Sequence, residues 1–131
     1  MKLLRDNWFL QDIPASINLE KPGIYEWRIG GAEPCVSVGQ SKRLKGRARE
    51  YVNNIRKMVN GLPYRKGKPT KFRAVHHGLR KGHDNGLPIT FTVLENCDEA
   101  FLNEREQFWI NRRVDEERAG GPRVLNGPRR S

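Results

Sequence analysis

Arg47 and Tyr51 stand four residues apart in "LKGRAREYVNNI", one helical turn, at the margin of an apolar stripe. A guanidinium presents a planar fork of donors matched to phosphate oxygens, and a side chain at i+4 lies within its reach. Further along, Glu106 falls beside Leu102, Trp109 and Ile110 at i−4, i+3 and i+4, against the packed side of a helical segment. Glu104 lies nearer Gln107 and Asn111, on the polar flank. A carboxylate on a packed side needs a reason, and metal binding is a good one. Magnesium suits a single carboxylate because it keeps several of its waters.

The charge pattern points to the same kind of partner. The chain has 131 residues, 25 Lys and Arg against 15 Asp and Glu, and a net charge of +10. Between Pro34 and His83 there are fourteen basic residues and one acid, Glu50, so the remainder is slightly acidic. So lopsided an excess implies a polyanion, with nucleic acid ahead of an anionic membrane surface. The basic segments lack the aromatic and leucine face that would insert into lipid.

These residues must be positioned by elements that the hydropathy pattern outlines. Gly23 to Ile29 alternates, with Tyr25, Trp27 and Ile29 on one side and Ile24, Glu26 and Arg28 on the other. That period of two predicts a strand. "GGAEP" supplies a turn and "CVSV" a second short strand, which together predict an antiparallel hairpin. Ser41 is the expected N-cap of a helix from Lys42 to Val59, whose stripe is Leu44, Ala48, Tyr51, Val52, Ile55 and Val59. A basic loop, "NGLPYRKGKPT", does not match a P-loop in its spacing. A helix over Thr70 to Arg80, a third strand over Pro88 to Glu95 and a helix from Asp98 to Val114 follow, then an irregular tail. The order predicts an α+β domain built on a small, three-stranded, mostly antiparallel sheet flanked by helices. It spans residues 22–131, and residues 1–21 form an extension that packs on it.

"GIY" at Gly23–Tyr25, "SVG" at Ser37–Gly39, Arg47 eight residues later, Tyr51 one turn beyond, "EREQFWI" at Glu104–Ile110 and "LN" at Leu125–Asn126 form an ordered set. Together, over roughly residues 22–126, they resemble the GIY-YIG nuclease family. The resemblance implies a metal-dependent DNA endonuclease that hydrolyses phosphodiester bonds with Mg2+, or Mn2+ as a substitute. It also implies a role for each matching residue. Tyr25 would stand beside the attacking water as a candidate general base, and Arg47 would contact the scissile phosphate. Tyr51 would fill the second helical site, Glu106 would bind the metal, and Asn126 would be the C-terminal asparagine. Ser37 departs from the family, which has a tyrosine there. The alternative is therefore a basic nucleic-acid-binding module with impaired catalysis. A tyrosine is an awkward base with a pKa near 10 and would need a nearby cation to lower it.

Lys42, Arg43, Lys45, Arg49, Lys71 and Arg73 are the expected DNA contacts, on double-stranded or branched substrates. No aromatic platform of the kind that reads single strands is evident. No separate DNA-reading domain is visible, so sequence specificity would rest on loops, the N-terminal extension or a homodimer. Cys35 and Cys97 have neither CxxC nor zinc spacing and are expected as buried free thiols. Adjacent histidines point different ways on a helix, so His76, His77 and His83 are expected at phosphate or solvent rather than at a shared metal. With no apolar leader or membrane-length run, the expected location is the cytoplasm.

Overall fold

The computed structural model describes residues 1–64 and 72–126. Its frame is a five-stranded mixed sheet. The strands are β1 (Leu10–Asp12), β2 (Gly23–Ile29), β3 (Cys35–Ser41), β4 (Ile89–Asn96) and β5 (Arg123–Val124), in the order β1-β4-β2-β3-β5. The helices are α1 (Arg47–Val59), α2 (Ala74–Asp84) and α3 (Leu102–Arg118), the last entered through a 3-10 turn at Glu99–Phe101. The α+β class expected from the sequence holds. The expectation of three strands needs correction: the antiparallel trio β4-β2-β3 is flanked by two short parallel edge strands. The N-terminal extension thus enters the sheet through β1, and the tail does so through β5. Among the described residues, no helix is long and apolar enough to cross a membrane.

The alternation in β2 divides the core into two layers. Tyr25, Trp27 and Ile29 face α1, α2 and the N-terminal segment, packing with Ile55, Leu79 and Phe91. Ile24 faces α3 with Val36, Val38, Leu102 and Ile110. Within the α3 layer Glu26 is buried, and Arg113 Nε donates to its Oε1 at 2.7 Å. Each charge makes the other's burial tolerable, and losing either partner would leave the other uncompensated. Cys35 and Cys97 are free thiols, as expected, but only Cys35 is buried; Cys97 is half-buried.

Two local features set the path into the site. Strand β3 runs on to Ser41, whose Oγ accepts from the Arg43 N–H at 3.2 Å in a tight turn. Ser41 is therefore not a helix cap. Gly46, at φ 81°, supplies the left-handed residue that turns the chain into α1. Helix α1 consequently starts at Arg47, and Lys42, Arg43 and Lys45 lie on the preceding loop. The second feature is a bulge in β4 opposite the step from Ile24 to Tyr25. Bulges add local twist, here where the Tyr25 ring leaves the sheet.

Candidate active site

Tyr25 is 1% exposed, and its ring lies across the neighbouring strand at Gly39, its register partner. A Cβ at Gly39 would stand 2.5 Å from the Tyr25 Oη. Only a residue without a side chain lets the phenol reach over β3. There it meets α1, where the turn-apart spacing of Arg47 and Tyr51 delivers both side chains to one place. Tyr25 Oη lies 2.6 Å from Tyr51 Oη, and Arg47 Nε donates to Tyr25 Oη at 3.0 Å. Arg73, just before α2, closes the group by donating from Nη2 to Tyr51 Oη at 2.9 Å. Both guanidiniums also sit over the Tyr51 ring, at 5.5 Å for Arg47 and 5.6 Å for Arg73.

Hydrogen-bond counting gives this quartet a direction. Each phenol oxygen already accepts from one guanidinium. One phenol proton is consumed between the two tyrosines, which leaves one hydroxyl proton to donate elsewhere. Tyr51 lines a cleft of about 290 Å³ with Arg47, Glu50, Asn54, Tyr64 and Arg73. Glu50 takes a hydrogen bond from Arg47 Nη1 at 2.6 Å but is itself exposed. Two guanidiniums against one exposed carboxylate leave the cleft positive.

Burial first, and then Tyr51, raise the Tyr25 pKa above the ordinary phenol value, while Arg47 opposes the rise. Tyr25 is thus a neutral phenol in this arrangement, so its oxygen is a hydrogen-bonding group rather than a ready base. Burial works against the charges of Arg47 and Arg73, yet their interactions with the tyrosines prevail and raise both pKa values.

Beneath Arg73 lies His76, fully buried. Its Nδ1 accepts from the Arg73 backbone N–H at 3.0 Å, and its Nε2 is 3.2 Å from Asn54 Nδ2. Burial, then Arg73, push its pKa down to about 4. His83 is also buried and accepts from the Arg5 N–H at 2.9 Å through Nε2. The expectation of phosphate or solvent contact is therefore wrong for His76 and His83: both are internal struts. His76 fixes the start of α2, and with it the backbone that carries Arg73.

Glu106 and Asn126 approach from the other face. Glu106 is half-buried on α3, and its Oε1 accepts from Gln40 Nε2 at 3.2 Å. Gln40 follows Gly39, so the phenol and the carboxylate reach adjacent residues of β3 from opposite sides. Glu104 is exposed. Asn126 Oδ1 accepts from the Val38 N–H at 3.0 Å, and its Nδ2 donates to the Val38 carbonyl at 2.8 Å. Asn126 thereby extends the β3–β5 pairing with a side chain. Ser37, buried on the Tyr25 face, pairs with Trp27.

No group of three or more His, Cys, Asp or Glu gathers among the described residues. A metal held by Glu106 would rest on that carboxylate and water, with Gln40 adjoining. Such an oxygen donor set fits magnesium.

The remaining basic candidates are spread over the surface. Arg43 and Lys45 both bind Glu20, whose pKa their hydrogen bonds lower. Lys42 lies 3.8 Å from Glu99. Arg49 is exposed on α1, and Lys71 falls outside the described residues. Sequence reasoning named Arg73 only as a surface contact and missed Gln40, Asn54 and the strut role of His76. Comparison with protein-family models, curated proteins and solved structures finds no match.

Proposed function

We propose that this chain is a metal-dependent DNA endonuclease of the GIY-YIG type. The observation that carries the proposal is the cleft in which Arg47 and Arg73 converge on the linked hydroxyls of Tyr25 and Tyr51. In this reading β4-β2-β3 is the family's three-stranded antiparallel sheet, and β1 and β5 are additions at its edges.

Phosphodiester hydrolysis builds charge on the nonbridging oxygens while a water attacks and an oxygen leaves. Arg47 and Arg73 would bind those oxygens as a two-sided clamp, orienting the phosphate before reaction. The outward hydroxyl proton of the tyrosine pair donates to the same phosphate or holds the attacking water. Tyr25, kept neutral, fixes the hydroxyl network and restrains Arg47. Glu106 would hold the magnesium ion, which supplies positive charge and a more acidic bound water. Ser37 cannot supply a phenol, but Tyr51 already brings a second one to Tyr25.

The test is plasmid nicking with magnesium, with manganese and with EDTA. Cleavage that needs the metal and is lost in Arg47→Ala is expected. A second reading rests on Ser37 and on the raised Tyr25 pKa: a nucleic-acid-binding module with impaired catalysis. Salt-sensitive DNA binding without cleavage under any metal would favour it.

A further inference from the structure

On the side of α1 away from the phosphate cleft, the molecule has a second opening that the catalytic residues do not use. Two cavities of about 440 and 450 Å³ share Phe9, Gln11, Val52 and Arg56 as walls, so they form one trough between α1 and the N-terminal segment. Each lies within the roughly 300–1,000 Å³ span of ligand pockets. The floor of the part nearest Gly46 includes Phe9, Ile13, Leu19 and Val52, all partly exposed apolar residues. The rim of this part carries Lys45, Arg49 and Arg56 and no acid, while Arg5 and Asp6 line the other part of the trough. Lys45 shares Glu20 with Arg43, and Arg56 donates to Asn53 Oδ1 at 3.0 Å. Arg49 has no hydrogen-bond or ion-pair partner among the described residues, although it is a charge beside an apolar floor.

We infer that this trough binds an unpaired nucleotide of the strand whose phosphate occupies the Arg47–Arg73 cleft. The inference rests on the nucleic-acid reading of that cleft. An apolar floor under a cationic rim asks for a ligand with a flat apolar face and an anionic edge, and a nucleotide has both. The two openings share one wall. Arg47, Tyr51 and Asn54 face the cleft, while Ala48, Arg49, Val52 and Asn53 face the trough. They are separated by the width of one helix, about 10 Å, so a strand leaving the cleft crosses it within a few nucleotides. A base stacked inside a duplex cannot turn its face to Phe9, whereas an unpaired base can, and stacking on aromatic side chains is tolerant of sequence. The preferred substrate is accordingly a duplex with an unpaired stretch beside the phosphate that is held.

The test measures fluorescence anisotropy in EDTA, so that binding is read without cleavage. The probes are a labelled oligothymidylate and a blunt duplex of the same strand length. The full chain is compared with Val52→Glu, which sets a carboxylate in the floor without adding an aromatic face, and with Arg49→Ala, a surface change that leaves folding intact. The ratio of single-strand to duplex affinity is expected to fall about fivefold or more in Val52→Glu, as for the loss of one stacking contact, and by a smaller factor in Arg49→Ala, which removes a rim charge. An unchanged ratio in both variants overturns the inference. So does a loss confined to binding of anionic lipid vesicles or of an acidic peptide. A chain that nicks plasmid but shows no change in the ratio refutes the trough alone. A chain that shows the change but cuts nothing refutes the nuclease reading and leaves the trough standing.

Discussion

At the scale of single residues, the proposed nuclease reading lets the two glutamates of α3 tell catalysis from binding. Glu106 is half-buried and engaged by Gln40, whereas Glu104 is exposed. Glu106→Gln is expected to abolish nicking while DNA affinity, read by anisotropy, stays within about twofold, because the basic surface that governs affinity is untouched. Glu104→Gln should cut like the natural chain; the reverse pattern would sink the assignment. His76 gives a pH prediction. Its folded pKa of about 4 lies below the ordinary histidine value, so the unfolded chain binds the extra proton first as pH falls. Its stabilisation is complete above about pH 6.5 and is lost between there and pH 4, at about 3 kcal/mol over the window. Urea unfolding at pH 7 and pH 4.5 should show a larger drop for the natural chain than for His76→Gln. Equal drops would mean that the imidazole is not held neutral.

At the scale of elements, Gly39 couples strand to site. Gly39→Ala places a methyl against the Tyr25 ring, which is packed too tightly to yield. A loss of about 1–3 kcal/mol is expected, as for other overpacked cores. In a Tyr25→Ala background the same substitution should cost much less, and a double-mutant cycle by thermal unfolding would show it. The elements also explain what could be read from the sequence. Residues 23–29 alternate cleanly because β2 is central and its two faces meet different layers. Arg47 and Tyr51 were legible because one helical turn is a local relation. Ser41 misled because a serine before a basic run resembles a cap, while the actual turn into α1 depends on the left-handed Gly46 five residues later. Strands β1 and β5 have three and two residues, too few to show a period. Arg73 joins the tyrosines only because α2 docks beside α1, a long-range outcome that no local pattern encodes.

At the scale of the whole molecule, charge governs encounter with a polyanion. DNA affinity is expected to fall steeply with salt, with a log–log slope of about −0.9 for each phosphate neutralised. Replacing Lys42, Arg43 and Lys45 together by Gln should flatten that slope, though modestly, since all three sit near Glu20 or Glu99. A salt-independent affinity would remove nucleic acid as the partner. The outer strands matter at this scale too. Leu10, Gln11 and Asp12 run beside Thr90, Phe91 and Thr92 and cover that part of the margin of β4, while Asn18 bonds Asn96 at its end. An uncovered strand margin is a template for pairing with another chain. A chain beginning at Pro14, which also loses the buried Trp8 from the core, should therefore be less stable and self-associate, giving larger species in sedimentation than the intact chain. The N-terminal segment would thus act as a chaperone built into its own sequence, covering a strand edge that could otherwise pair with another chain.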